Sequence, residues 1–385
     1  MLTKRVKRLN ESMTLAITTL ARELKDSGKD ILSFSAGEPD FDTPEVIKEE
    51  AIIALKKGFT KYTAVAGIPE LLQAIATKLK RDNALVYKPS HIITSNGAKH
   101  SLFNLIQVLI EQGDEVIIPA PYWVTYPELV RYSGGIPVPV ETNDESGFKI
   151  TSKQLKDAIT PRTKLLILTT PSNPTGSLYS KDELEEIAEV LKGSDIFVCS
   201  DEMYEKLIYN KEFVSVASIN DDMFKRTITV NGLSKSVAMT GWRFGYLATP
   251  NEELINAMKK LQSQSASNIN SITQHAAIAG LDGRADKDIE FMRKEFQKRR
   301  DLAVKLINEI DGLSVIIPDG AFYLFINIKN ISSNSMKFSQ ELLSKKGVAV
   351  IPGIGFGSEG YIRFSFATDE KSIIEGIKRI KEFVS

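Results

Sequence analysis

In the stretch "NGLSKSVAMTGWRFGY" (231–246), Lys235 stands among Leu, Ser, Val, Ala and Met, and Arg243 follows eight residues later. An ammonium group resists burial, so a lysine in apolar company either reaches water with its tip or is deprotonated for a reason. Other polar residues share its kind of address, just after a short apolar run. Asn173 follows "KLLILTT" (164–170), Asp201 and Tyr204 follow "IFVCS" (196–200), and Ser234 and Lys235 follow "RTITV" (226–230). Ala98 and Lys99 follow "HIIT" (91–94). An amine, a carboxylate, a phenol and an amide beside an anion cradle suit pyridoxal phosphate. That cofactor needs a lysine for a covalent imine, a carboxylate to keep its pyridinium nitrogen protonated, and ligands for its phosphate. An aromatic such as Trp123 can stack on its ring.

The elements must deliver these groups to one place. The apolar runs, with "EVIIP" (115–119), read as strands buried on both faces. Between them lie helical patterns. "SNGAKHSLFNLIQVLIEQG" (95–113) is a small-residue turn and then an apolar periodic helix ending at Gly113. "SKDELEEIAEVLKG" opens on a capping box, Ser180 with Glu183, and stops at Gly193. Strands alternating with helices predict a mostly parallel α/β sheet with right-handed crossovers. Ligands of such sheets bind beyond the carboxyl ends of the strands, which is where the polar residues stand. The helix start at Ala98 presents free backbone N–H groups to a phosphate, with Arg243 as a second ligand.

After about residue 285 the texture changes. A long charged helix leads to "LSVIIP" and "AFYLFINI", a helix near 336–346, the strand "YIRFSFA" and a last helix from Asp369. This reads as a smaller α+β domain. The first 24 residues read as a structured arm or helix, since their apolar part is short and lacks a clean cleavage site.

Composition excludes several classes. Of 385 residues, 42% are hydrophobic and 25% charged, ordinary for a globular protein. Lysine plus arginine equals aspartate plus glutamate at 49 each, so no net charge draws the chain to nucleic acid or to a membrane surface. No apolar run reaches membrane-spanning length. The single cysteine, Cys199, precludes an internal disulfide and fits a reducing compartment such as the cytoplasm. His91, His100 and His275 lack metal-ligand spacing, so no metal is expected.

Eight motifs in order, "AGEPDFDTP", "KYTAVAGIPELLQAIA", "PYWVTYPE", "PSNPTG", "SDEMYE", "NGLSKSVAMTGWRFGY", "PDGAFY" and "YIRFSFA", resemble the class I aminotransferases of pyridoxal-phosphate fold type I. The chain is most similar to the bacterial aspartate group, which includes aspartate/prephenate aminotransferases. The resemblance implies a homodimer with shared active sites. It also implies a large cofactor domain over 46–285 with a mostly parallel seven-stranded sheet, and a small domain from 1–45 and 286–385. Lys235 would carry the cofactor and shuttle the proton. Asp201 would hold the pyridinium, Tyr204 and Asn173 the ring oxygen, and Trp123 would stack on the ring. Arg243, Ser234 and the Ala98–Lys99 backbone would hold the phosphate, with Tyr62 of the partner. Arg363 would grip the substrate α-carboxylate, with Gly37 closing over it, while Lys99 and Thr14 would meet the distal carboxylate of aspartate or glutamate. Ala266 and Ile269 stand where relatives often carry Thr and Pro.

On pattern alone other readings stay open. Asp201 also fits a strand-end cap, and Tyr204, Trp123 and Tyr62 fit packing residues. Lys99 equally fits a phosphate-side or solvated lysine. Arg363, alternating with Ile362 and Phe364, equally fits an exposed arginine on an open sheet face. A β-lyase or an aminotransferase of another donor would keep the same lysine and aspartate. A regulator built on this fold would need a DNA-binding region, and the sequence shows no basic block for one.

Overall fold

The computed structural model describes residues 2–11 and 13–385. A short strand, β1 (Leu32–Ser33), precedes seven strands that share one sheet. These are β2 (Ile92–Asn96), β3 (Glu115–Ala120), β4 (Ile136–Glu141), β5 (Thr163–Thr169), β6 (Phe197–Asp201), β7 (Thr227–Gly232) and β8 (Phe244–Ala248). Their spatial order is β2-β8-β7-β6-β5-β3-β4. β8 runs antiparallel to both neighbours and every other pair is parallel, so the expected mostly parallel sheet is present.

The continuous apolar runs are explained by cover on both faces. Val116, Ile118, Leu165, Ile167 and Cys199 pack with Leu102, Leu105 and Ile106 of the helix Ala98–Leu109. The alternate residues Ile117, Leu166, Leu168 and Val198 pack with Leu184, Ile187 and Leu191 of the helix Lys181–Leu191. Cys199 is a wholly buried core residue. The Ser180 capping box forms as expected, with Glu183 N–H donating to Ser180 Oγ at 3.3 Å. One helix is shorter than its pattern suggests. It ends at Leu109, because Ile110 turns extended and buries its side chain, and Gly113 lies in the following turn at φ +95°.

Two strands carried no clear signal. β4 reads "IPVPVE", and its prolines cannot donate to a ladder. The strand sits at the sheet edge and pairs only with β3, where missing N–H groups are tolerated. β8 has Gly245 at its second position. A Cβ there would overlap the backbone of Gly97 and Ala98, so the glycine lets the helix start come close to the sheet.

The rest of the chain builds β9 (Ser314–Val315), β10 (Tyr323–Asn327), β11 (Val348–Ala349), β12 (Ile351–Pro352) and β13 (Tyr361–Ser365). Four of these form a sheet of order β12-β13-β10-β9, and β1 pairs in parallel with β11. The N-terminal segment therefore joins the C-terminal part. Helices Asp286–Asn308, Ser335–Lys346 and Glu370–Val384 accompany these strands. Asp369 caps the last, accepting from Ser372 N–H at 3.0 Å. The expected N-terminal arm is helical over Lys4–Lys7 and Met13–Asp26. Among the described residues no helix is long and apolar enough to cross a membrane.

Candidate active site

The carboxyl ends of β2, β5, β6 and β7 open on one cavity of about 380 Å³. The smaller part of the chain closes it with residues 35–38, Tyr323 and Arg363. All the site candidates line this cavity except Tyr62, which is 91% exposed. Within one chain Tyr62 therefore contributes nothing to the site.

Strand β6 ends on Asp201, which is buried. Its Oδ2 accepts from Tyr126 Oη at 2.7 Å, and its Oδ1 accepts from the Met203 N–H at 3.3 Å. Burial pushes the carboxyl up to about 6, although these hydrogen bonds and Lys235 favour the ionised form. Tyr126 Oη also lies 2.7 Å from Thr169 Oγ1 at the end of β5. Tyr204 Oη lies 2.9 Å from Tyr323 Oη, both rings being buried.

Beyond β7, Ser234 is buried and Lys235 is half-buried. Lys235 Nζ donates to the carbonyl of Gly37. Desolvation pushes the amine down to about 8, with Arg363 and Arg243 acting the same way and Glu38 and Asp201 opposing. The lysine thus has an accessible free-base form near neutral pH.

At the end of β2 the chain turns through Gly97, φ +83°, into the helix Ala98–Leu109. Any Cβ at Gly97 would overlap the Arg243 guanidinium. Arg243, itself at φ +57°, donates from Nη1 to the Thr240 carbonyl at 2.8 Å. The free N–H groups of a helix start and a guanidinium thus share one corner, a geometry that receives a dianion.

Arg363 is where the open reading closes. It is not exposed; β13 is covered on both sides and the arginine is 2% exposed. Its Nη1 donates to Asn173 Oδ1 at 3.0 Å and its Nη2 to the Ser35 carbonyl at 2.8 Å, while Nε has no partner. The guanidinium lies 4.4 Å from the Tyr323 ring centroid and 5.1 Å from that of Phe356. Among the described residues no carboxylate pairs with it. A buried guanidinium held only by neutral acceptors is built for an incoming anion. Lys99 Nζ stands 5.0 Å from the Trp123 ring centroid, and desolvation, then Arg243, holds it below the ordinary lysine range. Thr14 lines the same side from the helix Met13–Asp26.

Charged groups of the cavity are Lys99, Lys235, Arg243 and Arg363 against Asp201 and Glu38. The excess is cationic, so the site favours ligands with more than one anionic group. Tyr126, Tyr323, Ser35 and Glu38 line the cavity without having been singled out in the sequence. Their signal was present: Tyr126 lies in "PYWVTYPE", Tyr323 in "PDGAFY" and Glu38 in "AGEPDFDTP". Nothing in those motifs separates a cavity tyrosine from a packing one.

Known proteins are similar to this chain over nearly its whole length. A family model described as aminotransferase class I and II matches residues 29–380. An aspartate aminotransferase of Bacillus sp. (strain YM-2) is 48% identical over 390 aligned positions, covering 100% of this chain and 99% of the relative. An aspartate/prephenate aminotransferase of Nitrosomonas europaea is 44% identical over 397, covering 100% of both. The solved structure of the Thermus thermophilus aspartate aminotransferase with maleate superposes with a TM-score of 0.96, at 41% identity and 99% cover of each chain. The chain therefore belongs to the class I and II aminotransferase family.

Proposed function

We propose that this aminotransferase moves the amino group between L-aspartate and 2-oxoglutarate, using pyridoxal phosphate held by the cavity residues. One observation carries the reading. A buried guanidinium without a counter-ion, Arg363, shares a cavity with a lysine of depressed pKa and a buried aspartate. The names of the relatives and the dicarboxylate in the Thermus structure support the acidic substrate. The Nitrosomonas relative favours prephenate as a second amino acceptor.

The residues fit the cofactor on their own chemistry. At the Gly97 corner a Cβ would push against the Arg243 guanidinium, and the helix-start N–H groups there with Arg243 suit the phosphate; Ser234 lines the same cavity. Asp201, buried and already hydrogen-bonded, suits the pyridinium nitrogen, and Tyr204 and Asn173 suit the ring oxygen. Trp123, which lines the cavity, would stack on the ring. Pyridoxal phosphate supplies an aldehyde and a protonated ring that withdraws electrons from the substrate Cα.

The chain's own groups then do the positioning and the proton work. Arg363 takes the α-carboxylate through its fork, and Gly37 brings the 35–38 segment over it. Lys99 and Thr14 meet the distal carboxylate. Lys235 Nζ, as free base, would take up the substrate Cα proton and hold it for return; a pKa near the working pH suits that task. Asp201, as a carboxylate, would keep the pyridinium nitrogen protonated. In the same reading the large domain spans 46–285, the small domain spans 1–45 and 286–385, and the enzyme is a cytoplasmic homodimer. Tyr62 of each subunit serves the partner's phosphate.

The test is chemical. Borohydride treatment of the yellow protein, followed by peptide mapping, should place the cofactor on Lys235; an adduct on another lysine would refute the site. Assays across amino donors and oxo acids, prephenate included, should rank aspartate with 2-oxoglutarate first.

A further inference from the structure

The segment that brings Asp201 and Tyr204 to the cavity has a second side. Glu202 and Glu205 sit between and beyond them, and neither lines the cavity. Glu202 is wholly buried. Its Oε1 accepts from Ser200 Oγ at 2.8 Å, from Ser215 Oγ at 2.7 Å and from the Val216 N–H at 3.3 Å. Its own N–H donates to the Val230 carbonyl of β7 at 2.9 Å. Glu205 pairs with Lys78 and accepts from Asn83 Nδ2 at 2.7 Å, both on the helix Pro69–Asn83. Lys78 also donates to Asn83 Oδ1 at 2.8 Å. Burial, and then Glu205, pushes the Glu202 carboxyl up to about 7.

Two buried acids within four residues are a costly way to fill a core, since apolar residues of like volume serve as well or better. What the acids share is the main chain they hold. The Glu205 N–H donates to the Glu202 carbonyl at 3.1 Å and the Leu207 N–H to the Tyr204 carbonyl at 2.8 Å, closing a turn between the two anchors. The Met203 N–H that meets Asp201 lies inside that turn. We infer that Glu202, backed by the Glu205–Lys78 pair, is a positioning residue that sets Asp201 and Tyr204 from behind. Its anchors reach Ser215 and Val216, outside the cavity, so the positioning acts through the backbone.

The inference rests on the reading that pyridoxal phosphate binds in this cavity. Its test compares Glu202→Ala, Glu202→Gln and Ser215→Ala with wild type in three measurements. These are the Kd for pyridoxal phosphate by tryptophan quenching, the midpoint of the pH titration of the bound cofactor's absorbance, and Tm. Glu202→Ala should weaken binding about tenfold or more and move the midpoint. Glu202→Gln should stay near wild type in both, because an amide oxygen accepts from the same three donors. Ser215→Ala, which removes one donor, should move both in the direction of Glu202→Ala by less. A Glu202→Ala protein that loses only Tm, with Kd and midpoint unchanged, would overturn the inference. If Glu202→Ala does not fold, Ser215→Ala decides, and wild-type values there overturn it. A wild-type protein that fails to bind pyridoxal phosphate overturns the reading of the cavity and the inference with it. That outcome is told apart because no variant is needed to see it.

Discussion

Lys235 and Lys99 face one cavity, and burial disfavours the charge of both, yet the proposed function gives them different tasks. Lys235 sits at about 8 against an ordinary 10.5. Below pH 8 both folded and unfolded chains carry the proton, and the folded state bears the full desolvation cost. Between 8 and 10.5 the unfolded chain binds more protons, so stability rises with pH; above that the cost is gone. Lys235→Met should therefore make the cofactor-free protein more stable at pH 7, by at most about 3 kcal/mol. The gap should close as pH climbs to about 10.5, as read by denaturant midpoints across pH. A gap independent of pH would show that Met gains only by packing. In the proposed function Lys99 selects rather than shuttles. Lys99→Ala should lower kcat/KM for aspartate about ten- to a hundredfold, the loss of a charge-assisted bond of roughly 1.5–3 kcal/mol. Activity on phenylalanine should change much less. An equal loss for both donors would assign Lys99 to the cofactor instead.

At the scale of elements, the join between β2 and its helix is where the proposed function places the cofactor phosphate. Gly97 serves twice: its φ of +83° turns the chain, and its bare Cα leaves room for Arg243. Gly97→Ala is strained on both counts. Its cofactor affinity should fall at least about tenfold, measured by titration of the cofactor-free protein, with secondary structure retained by circular dichroism. Wild-type affinity would show that the guanidinium is not part of the cradle. The Ser180–Glu183 box lies far from such constraints and is ordinary stabilisation. Ser180→Ala should cost about 1 kcal/mol in denaturant midpoint without touching catalysis.

At the scale of the whole molecule, the segment from the helix Glu45–Lys56 to Tyr62 exposes Ile52, Ile53, Leu55, Phe59 and Tyr62. The proposed homodimer would use these exposed apolar side chains as its contact. Homodimerism through this face would bring Tyr62 to a neighbouring cavity, the role the family resemblance gives it. Sedimentation should show a dimer in solution, and Leu55→Asp should weaken it and lower cofactor affinity together. A monomeric wild type with full activity would remove the shared site.

The sequence by itself determined the parallel sheet and the polar residues at its strand ends. Both are local signals: unbroken apolar runs, a capping box and eight ordered motifs lie in consecutive residues. It placed Asp201, Asn173, Ser234 and Lys235 at the sheet mouth because a strand's end is fixed by its own pattern. It did not show β4, whose prolines are tolerated only at an edge, nor β8, whose glycine answers to a helix over a hundred residues away. Only the tertiary structure decided Arg363. An arginine alternating with apolar residues looks solvated until the β10–β13 sheet, Ser35 and Asn173 meet around it. The same holds for Tyr126 against Asp201 and for Glu202 behind it. Tyr126 comes to Asp201 from a helix far away in the chain, and Glu202 meets Ser215 and Val216 across a loop, and hydrogen bonds made only on folding leave no mark on local spacing.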